Sequence, residues 1–119
     1  MKLLLTEHTE KLIEQGRATS AAQLEGLTEP DHKPVVKLFT PDANCTWLIS
    51  ELDPDDPDLA FGLCDLGVGC PELGSVRISE IESVRGVFGL PAERDRHFKA
   101  DRSLSAYADL ASKNGRVIA

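Results

Sequence analysis

The sequence predicts an α+β fold: a small antiparallel sheet of about four or five strands, with helices at the N- and C-terminal ends. Two observations lead there. Short β-branched and apolar runs cluster between Val35 and Ile78, separated by Pro, Gly, Asp and Asn turn chemistry. Apolar residues at helical spacing are confined to the two ends of the chain. Strands in the middle and helices outside suggest an antiparallel sheet with helices on one side.

The elements follow in order. Thr6 reads as the N-cap of a first helix, with Glu7 and Glu10 in its first turn, Leu12 and Ile13 on its apolar side and Gly16 as its stop. Residues 17–34, small, polar and broken by prolines, read as a connecting segment with a helical turn near Ala21–Leu24. Val35–Phe39 is a strand, and Thr40–Asn44 a turn. In the next strand, Cys45–Leu52, residues Cys45, Trp47 and Ile49 share one face while Thr46, Leu48, Ser50 and Leu52 share the other. Neither face is purely polar, which suits a central strand or a dimer interface. Asp53–Asp58 reads as a hairpin loop leading to a strand over Leu59–Leu66, and a fourth strand covers Gly74–Ile78. Ser79 and Glu82 have capping-box spacing, Arg94–Phe98 alternates charge as an edge strand does, and Leu104–Asn114 is a helix stopped by Gly115.

At 119 residues the chain suits one domain over 1–119, large enough for a core without disulfide or metal support. Residues 1–33 supply the N-terminal helix and connecting segment. Three cysteines at unpaired spacing fit reduced, buried thiols in a cytoplasmic protein. The apolar start, Met1–Leu5, is cut off by Thr6, Glu7 and His8, far short of a signal peptide, and no run approaches a membrane span.

Charge is the most uneven property. Leu38–Val76 holds eight acidic residues and no lysine or arginine, so this stretch accounts for the net charge of −7. A field of one sign steers partners of the opposite sign. Direct nucleic-acid binding is disfavoured by a pI near 4.9, apart from a modest patch that Arg94, Arg96 and Arg102 would make together.

Catalytic and metal signatures are weak. Counted from Asp53, a calcium loop of the EF-hand type would need glycine where Asp58 stands and a bidentate glutamate where Cys64 stands. Cys64 and Cys70 are too far apart for a zinc knuckle, and His8, His32 and His97 are scattered. No serine sits in a nucleophile elbow, and Gly67-Val68-Gly69 is too short to cradle a dinucleotide. No cofactor and no metal is expected.

The run Pro34–Leu48, with Glu51-Leu52-Asp53-Pro54, Asp55–Gly67, Pro71–Gly74 and Glu82–Gly86, resembles a bacterial family known as domain of unknown function 2958. The resemblance covers a core of about residues 34–110 and is weaker over the N-terminal helix. It implies a compact cytoplasmic domain of the kind found on plasmids, phages and other mobile elements. No catalytic residues come with it.

Two functions fit these observations. The first is a small acidic, non-enzymatic binding protein that meets a basic protein surface through Glu51, Asp53, Asp55, Asp56 and Asp58. In a mobile element it would inhibit a host nucleic-acid-handling or defence complex. The alternative is a metal-dependent or thiol-based enzyme of unknown substrate using Asp53, Asp65, Cys64 or His97. Membrane attachment is not expected, and the oligomeric state stays open.

Overall fold

A computed structural model describes residues 3–119; Met1 and Lys2, where the apolar start begins, lie outside the described residues. The elements are α1 (Thr6–Leu24), β1 (Val36–Phe39), β2 (Thr46–Asp53), β3 (Asp56–Asp65), β4 (Glu72–Arg77), α2 (Ile78–Ser83), β5 (Glu93–Arg94) and α3 (Leu104–Asn114). The fold is α+β. Five strands form one antiparallel sheet in the order β4-β3-β2-β1-β5.

Helices cover both faces, not one. Leu12 of α1 and Ile78 and Ile81 of α2 pack with Trp47, Ile49, Leu52 and Ala60 on one side. Leu104, Tyr107 and Ala111 of α3 pack with Leu48 and Leu63 on the other. This explains the two-sided apolar character of β2, the middle strand of the five. A strand buried on both faces loses the polar–apolar alternation that marks a half-exposed one.

The sheet also departs from simple alternation. Ile49 pairs with Gly62 and Glu51 with Phe61, leaving Ser50 as the extra residue of a β-bulge. The bulge turns Leu52 onto the face of Ile49, towards α1, and aligns Glu51 with Phe61 on the opposite face. The Ser50 carbonyl, released from the ladder, accepts a hydrogen bond of 2.5 Å from Gln15 Nε2 on α1. That contact satisfies a backbone group that would otherwise be stranded.

Gly16 does not stop α1; the helix continues to Leu24. A Cβ at position 16 would overlap the Leu52 carbonyl oxygen, so the glycine serves the close approach of α1 to β2. The N-cap is Leu5, not Thr6, and its N–H donates to His8 Nδ1 at 3.2 Å. The capping box at Ser79 also shifts. α2 begins at Ile78, and Glu80 reaches back to the Arg77 N–H at 3.3 Å. The fifth strand is shorter than Arg94–Phe98 and lies at the edge beside β1. α3 has the predicted bounds, capped by Ser103 and ended by Gly115 in the left-handed region at φ 71°.

Candidate functional site

The acidic segment is a tight hairpin. Asp53 pairs with Asp56 across a two-residue turn, Pro54-Asp55, so Asp56, Pro57 and Asp58 belong to β3 and not to a loop. Asp53 Oδ1 accepts the Asp55 N–H at 2.8 Å, an Asx turn that fixes the tip. A second irregularity, between Leu52 and Asp53, displaces the residues around Pro57 from the ladder, which accommodates a residue with no N–H to give.

The five carboxylates divide by neighbourhood. Asp56 and Asp58 both face Arg77 Nη1, at 3.1 and 3.6 Å. Asp58 also accepts the Ser79 N–H (2.9 Å) and hydroxyl (2.7 Å). These hydrogen bonds hold its carboxyl below the usual range, with Arg77 adding to them. Asp55 is exposed at the tip. Glu51 and Asp53 turn the other way, into a cleft.

That cleft has a volume of about 340 Å³. Its walls are the second half of α1, residues 29–32, the hairpin and the first residues of α3; its floor is β3 and β4. Four carboxylates line it, Glu29, Asp31, Glu51 and Asp53, together with His32 and, among the described residues, no lysine or arginine. Leu59, Phe61 and Leu73 provide apolar floor. Phe61 and Leu73 are 36% and 44% exposed, so α3 leaves this part of the sheet uncovered.

Glu51 is held on α1. Thr19 Oγ1 lies 3.0 Å from its Oε1, 3.2 Å from the Gln15 carbonyl and 3.2 Å from His32 Nε2. The single hydroxyl proton serves either oxygen acceptor, and a protonated His32 Nε2 donates to the hydroxyl. Burial pushes the Glu51 carboxyl above its usual range; Thr19 and His32 oppose that, and nearby Glu29 and Asp53 reinforce it. Asp31 is structural, accepting the N–H (3.2 Å) and the hydroxyl of Ser105 at the start of α3. The Ser105 bonds lower its carboxyl pKa.

Thr19, His32, Gln15 and Phe61 are not legible in the sequence as members of a site. Thr19 and Glu51 are 32 residues apart. The Glu51–Phe61 pairing depends on a bulge with no marker in the sequence. The one available signal is the two-sided apolar pattern of β2.

Of the residues of the enzymatic alternative, Asp53 lines the cleft, while Asp65, Cys64 and His97 lie outside it. Asp65 is buried at the far end of β3, where its two oxygens accept the N–H groups of Gly67 (2.8 Å) and Val117 (3.0 Å). Burial raises the Cys64 thiol, which disfavours the thiolate. Cys70 is exposed, not buried, and the three cysteines are unpaired. His97 is exposed beside Asp95, whose Oδ1 accepts its N–H. Among the described residues no three His, Cys, Asp or Glu side chains converge as a metal site. Two of the three arginines of the modest basic patch are engaged separately. Arg94 donates to the Leu3 carbonyl, and Arg102 pairs with Asp101 at 2.9 Å while lying over the Tyr107 ring. Among the described residues no helix is long and apolar enough to cross a membrane.

No curated protein and no solved structure matches this sequence. A family model does, over residues 3–118, taking in α1 as well as the more distinctive centre. Its description is "protein of unknown function (DUF2958)", and the chain belongs to that family.

Proposed function

We propose that this protein is a small acidic binding module, without catalysis of its own, whose hairpin end engages a basic surface on a partner protein. The observation that carries the reading is the cleft beside the hairpin: four carboxylates, no lysine or arginine among its described lining, and an apolar floor. Concave sites with an apolar base and a few converging charges are the usual form of recognition pockets. Asp55 at the tip extends the same negative potential outwards and steers a cation towards the cleft.

The finer reading is an inhibitor, carried by a mobile element and acting in the cytoplasm, of a host nucleic-acid-handling or defence complex. The long acidic span supports it. The arrangement favours capture of one basic group over imitation of a phosphate row, because Asp56 and Asp58 are engaged by Arg77 and Ser79. The thiol-based alternative draws no support from Cys64.

The test is binding of a labelled dodecalysine peptide at increasing salt, for the wild-type chain and for an Asp53→Asn/Asp55→Asn double variant. Affinity should fall with salt and fall further in the variant, since exposed charges are screened beyond about 8 Å at physiological ionic strength. Binding that ignores both salt and the substitutions defeats the proposal.

A further inference from the structure

We infer that the cleft recognises an arginine side chain carried on an apolar segment of a partner protein, with Glu51 and Phe61 as the recognition pair. This rests on the binding reading above and gives it a chemical target.

Glu51 and Phe61 stand directly opposite each other in the β2–β3 ladder, and Phe61 is in turn opposite Ser75 on β4. Directly opposed residues in an antiparallel pair share a face, with Cβ atoms about 5 Å apart. A half-buried carboxylate therefore stands beside an exposed aromatic ring at the base of a cleft.

A guanidinium fits that pairing better than other cations. It is planar and weakly hydrated, so it stacks on a ring while its edge donates two parallel hydrogen bonds to a carboxylate. Glu51 has one oxygen held by Thr19, which fixes the carboxylate in place before a ligand arrives. Asp53 and Glu29 line the same cleft and add negative potential.

The apolar part of the occupant follows from the floor. Leu73, 44% exposed, and Leu59 continue the surface away from Phe61. Water leaves such a surface only when an apolar side chain covers it. The cleft has room for a few side chains and none for a folded element. The occupant is thus an arginine flanked by aliphatic residues on an extended or helical stretch of another protein. Charge complementarity selects it over a second copy of this acidic chain, whose net charge is −7.

The experiment is fluorescence anisotropy with a labelled pentapeptide carrying a central arginine between two leucines. Citrulline, which keeps the shape and loses the charge, replaces the arginine in a second probe; serines replace the leucines in a third. Each altered probe should bind the wild-type chain at least about tenfold more weakly, and Glu51→Gln and Phe61→Ser should each weaken the arginine probe by about tenfold. The citrulline comparison needs no variant, so it stands even if Phe61→Ser folds poorly.

Equal binding of citrulline and arginine overturns the inference. So does an arginine probe indifferent to Glu51→Gln and Phe61→Ser yet sensitive to Asp53→Asn/Asp55→Asn; that result leaves the acidic binding module intact and removes only its arginine pocket. Self-association in sedimentation that Phe61→Ser abolishes would assign the cleft to a second copy and likewise overturn it. Failure of the dodecalysine peptide to bind at all is the separate failure of the broader reading.

Discussion

Glu51 on β2 and Phe61 on β3 are direct cross-strand partners, brought into register by the bulge at Ser50. Without the extra residue, Glu51 would share the sheet face of Ile49, and Leu52 that of Leu48 and Leu63. One backbone irregularity therefore exchanges an aliphatic residue for a carboxylate at the centre of the candidate site, and buries the aliphatic one under α1.

Holding Glu51 there has a measurable cost. Its folded-state pKa lies above the ordinary 4.5, so the native state binds the proton more tightly than the unfolded chain does. Stability from this group is then full below about pH 4.5 and declines as pH rises through the folded value. Glu51→Gln, which keeps an acceptor for Thr19, should melt at a higher temperature than wild type at neutral pH, and the gain should shrink as the solution is acidified. Thermal melts across the acidic to neutral range check this. A variant that is destabilised equally at every pH contradicts it.

Asp58 works in the opposite sense. Its carboxyl is depressed by Ser79 and Arg77, so its contribution is present above the ordinary 3.8 and is lost as pH falls through the lower folded value. Asp58→Ala should lower the melting temperature at neutral pH, and the gap to wild type should close in strong acid. Hydrogen exchange should locate the loss in Ile78–Ser83, since Asp58 supplies an acceptor to the first turn of α2 from another strand. Loss spread evenly over the sheet would not fit.

Gly16→Ala inverts a familiar expectation. In an exposed helix the change stabilises by about 1 kcal/mol. Here the new methyl meets the Leu52 carbonyl oxygen, and overpacking of this kind costs about 1–3 kcal/mol or more. Urea denaturation gives the sign directly. A stabilised Gly16→Ala chain would mean that α1 and β2 are not in close contact.

Asp65 is assigned to structure. Asp65→Ala leaves the Gly67 and Val117 N–H groups without their acceptor, a loss of about 2–4 kcal/mol. The surviving folded fraction should bind the dodecalysine peptide as wild type does. A stable Asp65→Ala protein with abolished binding would shift the site to the other end of the sheet.

The parts of this fold that are legible in the sequence are those decided locally. α3 can be read to the residue, because Leu104, Tyr107 and Ala111 recur at helical spacing and Gly115 ends the run. Gly16 is ambiguous, because a glycine that ends a helix and one that lets a helix touch a strand look identical until the strand is in place. The Asp53–Asp58 segment carries turn signals throughout, yet only Pro54-Asp55 turn; Pro57 fits a strand because the register shift frees it from the ladder. The acidic half of the site is visible as composition. The cleft is not, since Thr19, His32 and Phe61 join Glu51 only through tertiary contacts and a bulge.

The measurement that bears most directly on the proposed role is a ¹⁵N chemical-shift titration of the whole chain with the arginine pentapeptide. Saturable shifts are expected at Thr19, residues 50–53, Asp55, Phe61 and residues 73–75, around the cleft lining. Shifts distributed instead over exposed acids elsewhere, such as Glu7, Glu10, Glu14 and Asp109, would reveal a merely negative surface and rule out an arginine cleft.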